Sequence, residues 1–187
     1  MVSPVLVGVA AAVVVVVTIV IYNRLVAARL RVREAWSAID VQLQRRASLI
    51  PNLVESVKGY AAYERGTLQR IVEARTALAS ARGPRSAAQA NAELSSAIHS
   101  IFLLAEAYPA LKASERFAQL QADLSDTENQ IAFARNYYNG AVEAYNTKVQ
   151  SVPGLFIAAP FRFTPAEFFT ADEPSRQPVV AHVGLQP

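Results

Sequence analysis

The sequence predicts an all-α fold: an N-terminal transmembrane helix followed by an antiparallel up-and-down four-helix bundle. Residues 5–21, VLVGVAAAVVVVVTIVI, carry no charge, and their only hydroxyl belongs to Thr18. The rest of the chain repeats apolar residues at intervals of three and four, which is the spacing of one helix face. Short proline-containing segments separate these stretches, and short connections favour antiparallel neighbours.

The apolar run has the length of a membrane anchor. As a helix, residues 5–21 rise about 25 Å, close to the thickness of a bilayer's hydrocarbon core. A cleaved signal peptide has a basic segment before a shorter apolar core, whereas no basic side chain precedes this run. Residues 26–28 resemble a cleavage site but lie beyond Arg24. We therefore expect an uncleaved anchor over residues 1–23, with a cleaved signal peptide or a buried soluble helix as alternatives.

Basic residues follow the anchor directly. They are Arg24, Arg29, Arg31 and Arg33. Because arginines near a span tend to stay cytoplasmic, we expect a single-pass protein of the cell (inner) membrane with its N-terminus outside and its bulk in the cytoplasm. The same side chains are expected to contact anionic headgroups; a specific lipid or partner site is the alternative.

Composition restricts the function classes. A chain of 187 residues predicts one domain beyond the anchor. The net charge of +3 is too small to indicate nucleic-acid binding, and the absence of cysteine excludes disulfides, thiol catalysis and a lipid anchor on cysteine.

Four helices are predicted in the bundle, which we place at residues 24–153. Predicted helix A continues from the anchor without a break. We expect an end and restart at Pro51, because proline lacks a donor and disfavours helix at Ile50; a kinked continuous helix is the alternative. Predicted helices B and C cover about 51–82 and 85–107, separated by Gly83-Pro84.

Predicted helix D, about 110–152, has the clearest periodicity. Its apolar stripe is Phe117, Leu120, Leu124, Thr127, Ile131, Ala134, Tyr138, Ala141, Tyr145, Val149 and Val152. Such a run predicts packing along the whole helix, as in a coiled coil. Residues 154–171 form an aromatic segment that we expect to pack on the bundle, and the Pro-rich residues 172–187 are expected to be a flexible tail.

Several motifs carry a family resemblance. They are Ala35-Trp36-Ser37-Ala38-Ile39-Asp40-Val41-Gln42-Leu43, the stretch from Arg45 to Val54 that includes Ile50-Pro51-Asn52-Leu53, Val57-Lys58-Gly59-Tyr60-Ala61, Tyr108-Pro109-Ala110-Leu111-Lys112-Ala113, Thr127-Glu128-Asn129-Gln130-Ile131-Ala132-Phe133-Ala134-Arg135, Tyr138-Asn139 and Tyr145-Asn146-Thr147-Lys148. Over residues 22–169 the chain resembles the LemA family of bacterial membrane proteins. The resemblance implies a membrane helix and a four-helix bundle rather than a reaction. This sequence has Ala38 where the family usually has Gln, and Ser48 where it usually has Asp.

Polar residues of predicted helices A, B and D are the candidate site. They are Asp40, Arg45, Arg46, Asn52, Glu128, Asn129, Arg135, Tyr138, Asn139, Tyr145 and Asn146. The asparagines 139 and 146 are seven residues apart, as are the two tyrosines, so each pair shares a helix face. We expect a buried hydrogen-bonded network that fixes helix register; a ligand or partner site on the same groups is the alternative.

Catalytic and metal-binding templates are not matched. A di-iron bundle uses Glu-x-x-His pairs, but Ser96 stands three residues before His99, and His182 lies in the tail. With two histidines and no cysteine, we expect no metal site, cofactor or enzyme activity.

These observations favour a non-catalytic scaffold or interaction module at the cytoplasmic membrane. The expected partners are the lipid bilayer and other membrane or cytoplasmic proteins, without nucleic acid, and a homo-oligomer is left open. The alternative is a sensor that transmits a signal through the joint between the anchor and predicted helix A.

Overall fold

The computed structural model describes residues 4–60 and 65–171, and within these ranges the secondary structure is helical, without strands. The helices are α1 (Pro4–Lys58), α2 (Arg65–Ser80), α3 (Pro84–Glu106), α4 (Pro109–Lys112), α5 (Glu115–Gln150) and α6 (Gly154–Ala158). The predicted all-α fold is therefore confirmed. The predicted tail, 172–187, and with it His182, lies outside the described residues.

Helix α1 joins the apolar run to the packed part of the molecule without interruption. Its 55 residues correspond to a length of about 80 Å. An 18-residue window within it has a mean hydropathy of 3.0, with none of its residues buried, and burial begins at Leu25. By length and composition, α1 is the one helix in the described part of the chain that could cross a membrane.

The predicted restart at Pro51 is wrong, because α1 continues through this residue to Lys58. Proline has no N–H to donate to the carbonyl four residues earlier, which here belongs to Ala47. That carbonyl accepts a hydrogen bond from Nε of Arg75 in α2, at 3.0 Å. A neighbouring helix thus replaces the missing donor, which removes part of the cost of keeping proline inside a helix.

The chain leaves α1 at Gly59 rather than at Pro51, so predicted helix B is also wrong as a single helix. Gly59 and Tyr60 form a turn, residues 61–64 lie outside the described residues, and α2 starts at Arg65. The next connection follows the prediction: Gly83 has φ +86°, a region that favours glycine, and Pro84 occupies the first turn of α3.

Predicted helix D is divided into α4 and α5. Ser114 adopts an extended conformation before Glu115, as a residue preceding a helix does. The predicted stripe is buried from Phe117 to Tyr138 and again at Tyr145 and Val149, but Val142 replaces Ala141 in the core and Val152 is 69% exposed.

Two antiparallel helix contacts are visible from named residues. Arg45 of α1 pairs with Asp126 of α5, whereas Trp36, nearer the anchor, stacks on Tyr138 further along α5. Numbering therefore runs in opposite directions along these helices. The short connection between α2 and α3 makes them antiparallel neighbours, and α2 also contacts α1. The core includes large side chains from each of these four helices, such as Ile39, Ile71, Ile101 and Leu124.

The contact between Arg75 and Ala47 predicts a coupling with Pro51. Arg75→Ala should destabilise the protein by about 1 kcal/mol, the net value of a hydrogen bond. In a Pro51→Ala background the same change should cost less, because the restored N–H satisfies the Ala47 carbonyl. Pro51→Ala alone should stabilise by about 1–3 kcal/mol.

Chemical denaturation of the full chain in detergent, followed by circular dichroism, measures these energies. Pro84→Ala is the control, since proline in a first helical turn loses no intrahelical bond and its removal should change stability by less than about 0.5 kcal/mol. Equal costs of Arg75→Ala in both backgrounds would show that Arg75 does not compensate for the proline.

Candidate functional site

The segment after α6 crosses the seam between α1 and α5, and we call residues 161–170 the strap. Asn146 holds it with two hydrogen bonds: Nδ2 donates to the Ala166 carbonyl at 2.9 Å, and Oδ1 accepts from the Ala166 N–H at 2.8 Å. Asn139 repeats this pattern at Phe169, where Nδ2 donates at 3.3 Å and Oδ1 accepts at 2.9 Å. Each asparagine therefore pairs with the strap as a second peptide group would.

The spacing of these contacts follows from helix and strand geometry. Seven residues of α5 rise about 10.5 Å, and three residues of extended chain span about 10 Å. The two tyrosines use the same offset: Tyr138 donates to the Glu167 carbonyl and Tyr145 to the Thr164 carbonyl, at 2.8 and 3.0 Å. A heptad on the helix thus matches a three-residue step of a strap that runs antiparallel to α5.

Aromatic side chains attach the strap to α1. Phe163 and Phe169 are buried, and their rings lie 5.7 Å from Tyr22 and 6.2 Å from Trp36. The guanidinium of Arg29 lies 5.9 Å from the centre of the Phe163 ring, a cation–π distance. Trp36 also packs edge-on against Tyr138, with ring centres 5.6 Å apart. The strap therefore contacts α1 and α5 together and closes the seam between them.

The environment of the two tyrosines favours their neutral form. Burial, together with the nearby negative charge of Glu167, raises the pKa of Tyr138 to about 12. Burial also raises the pKa of Tyr145, and the positive charge of Arg29 opposes that shift. Both hydroxyls consequently remain hydrogen-bond donors at neutral pH.

A second polar cluster joins three helices at the other side of the seam. Arg46 of α1 is 3% exposed, and its Nη1 lies 2.6 Å from Oε2 of Glu128 in α5. The same nitrogen donates to Oδ1 of Asn91 in α3 at 2.8 Å. Ser95 of α3 donates to the same oxygen of Glu128 at 3.3 Å. One buried guanidinium therefore connects α1, α3 and α5.

Burial lowers the pKa of Arg46, and the attraction and hydrogen bond of Glu128 raise it again. Its Nε is buried without a hydrogen-bond partner in the described residues. The guanidinium of Arg46 is buried, whereas the side chain of its partner Glu128 is 49% exposed. A buried charge is costly unless its partners stay in place. Arg46 is thus placed to fix the register of three helices.

The structure places six of the predicted site residues in these two clusters, namely Tyr138, Asn139, Tyr145 and Asn146 at the strap and Arg46 and Glu128 in the second cluster. The tyrosines and asparagines of α5 bind backbone groups of the strap. Arg45 forms an exposed ion pair with Asp126 at 3.0 Å, and Asp40 accepts from Gln44 in its own helix. Asn52, Asn129 and Arg135 are exposed.

Sequence reasoning missed Asn91 and Ser95, which belong to the second cluster, and Asp126, the partner of Arg45. Asn91 interrupts the apolar face of α3 between Ala90 and Leu94, and a polar residue on a buried face is the signal that could have identified it.

The four arginines after the apolar run have different surroundings. Arg29 stacks on the strap, and Arg31 borders a surface groove with Tyr137 and Lys148. Arg24 lies beside Lys148 and Ser151 at the end of α5, and Arg33 is exposed.

The two clusters are suited to holding helices and backbone in place. Tyr138, Asn139, Tyr145 and Asn146 each bind a peptide group of the strap. Within residues 4–60 and 65–171, no group of three or more His, Asp or Glu side chains is placed to hold a metal ion.

Removal of the Asn139 or Asn146 side chain should weaken the binding of the strap to α5. Asn146→Ala and Asn139→Ala should each destabilise the protein by about 2 kcal/mol, since each removes two hydrogen bonds. The double variant should cost about 1 kcal/mol less than the sum, because both contacts hold the same segment. Fluorescence of Trp36, the single tryptophan, reports undocking of Phe169 during chemical denaturation.

The exposed Asn129 of the same helix provides the matched control, and Asn129→Ala should change stability by less than about 0.5 kcal/mol. Additive effects of the two strap asparagines would contradict a shared role.

Deprotonation of Tyr138 should release the strap at high pH. Its folded-state pKa of about 12 exceeds the ordinary value of about 10. The stability that its neutral hydroxyl contributes is therefore complete below pH 10 and is lost between pH 10 and 12. Tyr138→Phe should cost about 1 kcal/mol at pH 7, and this difference from the wild type should shrink across that interval.

Unfolding of both proteins, followed by circular dichroism at several pH values, measures the difference. Tyr137→Phe, at the exposed neighbouring position, is the control and should show no such trend. A constant difference between wild type and Tyr138→Phe from pH 8 to 12 would refute the assignment.

Comparisons with known proteins agree with the family resemblance of the motifs. The model of the LemA family matches residues 35–182. The chain is 26% identical to Protein LemA of Metamycoplasma hominis over 128 residues, which cover 68% of this chain and 58% of that protein's length. It is 22% identical to Magnetosome protein MamQ 2 of Paramagnetospirillum magneticum, over 85% of this chain and 68% of the relative. Since the family model covers most of the chain, this protein belongs to the LemA family.

Proposed function

We propose that this protein is a single-pass membrane protein whose helical domain is a non-catalytic scaffold or interaction module at the cytoplasmic face of the cell membrane. The observation that carries the proposal is α1, which runs as one helix from an exposed apolar segment into a packed core. In water the side chains of Val5 to Val20 would leave a large apolar surface uncovered, and a bilayer is the environment that accepts it.

The four long helices are proposed to form an antiparallel up-and-down bundle. Support comes from the antiparallel contact of α1 with α5, the α2–α3 hairpin and the contact of α2 with α1. Arg46, Asn91 and Glu128 further connect α1, α3 and α5.

The outer face of α5 supports an interaction role. Phe133 and Tyr137 lie one helical turn apart and are 75% and 52% exposed. Large aromatic side chains are enriched in protein interfaces. Other membrane or cytoplasmic proteins are the proposed partners of this face, and the names of the LemA-type relatives denote no reaction.

The unbroken α1 also favours the alternative, a sensor coupled through the membrane helix. A continuous helix can transmit a rotation or translation from the span to the core. Purification from native membranes separates the two functions: stable protein partners support a scaffold, and a bound small molecule supports a sensor.

Topology is the first measurement, and the absence of cysteine makes it direct. Ala113→Cys is placed in the exposed turn between α4 and α5, and Ser3→Cys precedes the apolar run. With a membrane-impermeant maleimide on intact cells, Ser3→Cys should react at once and Ala113→Cys only after permeabilisation.

The two positions serve as controls for each other, since a single span places them on opposite sides. The reverse labelling pattern would overturn the cytoplasmic placement. Labelling of both positions in intact cells would overturn the single span.

A further inference from the structure

An exposed apolar patch lies beside the end of the membrane segment. It consists of Val152, Leu155, Phe156 and Phe161, which are 69%, 45%, 69% and 53% exposed. These residues belong to α6 and to the turns before and after it, at the point where the chain leaves α5 and enters the strap. We name them the α6 patch.

The α6 patch lies at the level where α1 leaves its apolar run. The ring of Phe161 is 5.0 Å from that of Tyr22, the first residue after the run. Pro153 and Gly154 border one small surface cavity together with Ile21, Arg24 and Leu25 of α1. The patch is therefore close to the plane at which a bilayer around residues 5–21 would end.

Packing fixes this placement. Gly154 is buried, and a Cβ at this position would lie 1.9 Å from the Lys148 carbonyl oxygen, so α6 fits closely against the end of α5. On the other side, Phe163 is buried and contacts Tyr22. Between Phe161 and Phe163, Arg162 has φ +56°, a conformation that is uncommon for a residue with a side chain. The exposed Phe161 thus lies between the closely packed α6 and the buried Phe163.

The charge around the patch matches an anionic membrane surface. Residues 4–33 and 144–166 contain no Asp or Glu, and the acidic residues Glu34, Glu143 and Glu167 lie at their borders. The two ranges carry six cations: Arg24, Arg29, Arg31, Arg33, Lys148 and Arg162. Exposed aromatic and aliphatic side chains bordered by basic residues are the composition of segments that lie in the headgroup region.

We propose that the α6 patch inserts into the bilayer interface beside the transmembrane part of α1, so that the helical domain has a second membrane contact. The lipid surface is the occupant, with Phe156 and Phe161 in the outer acyl region and the cations at the headgroups. This proposal rests on the membrane anchoring proposed above. It goes further, because an anchor alone would leave the domain free to tilt away from the bilayer.

The depth of single fluorophores tests the proposal in the full-length protein. Phe156→Cys and Phe161→Cys variants, labelled with an environment-sensitive dye, are placed in nanodiscs that hold one chain and contain anionic lipid. Lipids carry a nitroxide quencher either at a shallow or at a deep acyl position. Both dyes should be quenched by the shallow label, at least twofold more strongly than by the deep one.

Dyes at two further positions distinguish failure of the patch proposal from failure of the membrane anchor. A dye at Val13→Cys, in the middle of the apolar run, should be quenched most by the deep label. The second dye is attached at Leu103→Cys, a position where the native leucine is 61% exposed. Its neighbour Phe102 contacts Phe117, near the start of α5. By helix rise, Phe117 is about 50 Å from the other end of α5. The dye at Leu103→Cys should not be quenched. Circular dichroism verifies that every variant retains its helix content.

Quenching at Val13 without quenching at Phe156 and Phe161 would overturn the patch proposal and leave the anchor intact. Lack of quenching at Val13 would overturn the anchor and the patch proposal with it. Quenching at Leu103 equal to that at Phe156 would also overturn the proposal, since the whole domain would then lie on the membrane.

Discussion

The structure depends on the unbroken backbone of α1, to which the apolar segment, α5, α2 and the strap are all connected. A helix of this length keeps its direction only if its hydrogen-bond ladder is maintained, and Pro51 removes one donor from that ladder. Nε of Arg75 occupies the position of the missing donor on the Ala47 carbonyl. A contact between two helices thereby preserves the continuity of one of them, and this continuity sets the distance between the apolar segment and the far end of the domain.

The strap is the second constraint, and it acts through backbone recognition. Asn139 and Asn146 each offer one donor and one acceptor to a peptide group of the strap, and the two tyrosines donate to further carbonyls. These contacts involve the main chain of the strap, so they do not restrict its side chains, and several of these are phenylalanines. Some of these rings are buried against α1, while Phe161 faces outward near the end of the apolar run. The same segment therefore seals the seam between α1 and α5 and shapes the end of the domain proposed to meet the membrane.

The cluster around Arg46 acts differently, since it uses a buried charged side chain. A guanidinium that is almost fully buried tolerates few alternative packings, because a shift of one helix would leave it without Glu128 or Asn91. The exposed pair of Arg45 and Asp126 beside it is solvated on both sides and has a weaker influence. Neighbouring arginines in the sequence thus have different roles, which are decided by the helix face on which each lies.

The sequence by itself determined the all-α class, the apolar run and most of the buried face of α5, because these follow from local composition and from helical periodicity. It also marked the asparagines and tyrosines at heptad spacing as sharing a face. Only the tertiary structure decided that Pro51 stays inside α1, because the compensating donor comes from Arg75, distant in sequence. Likewise, the partners of Asn139 and Asn146 are peptide groups of the strap. Every residue has a peptide group, so the sequence does not indicate which residue is the partner. The exposure of Val152 and Phe156 was decided by the turn into α6, where helical periodicity ends.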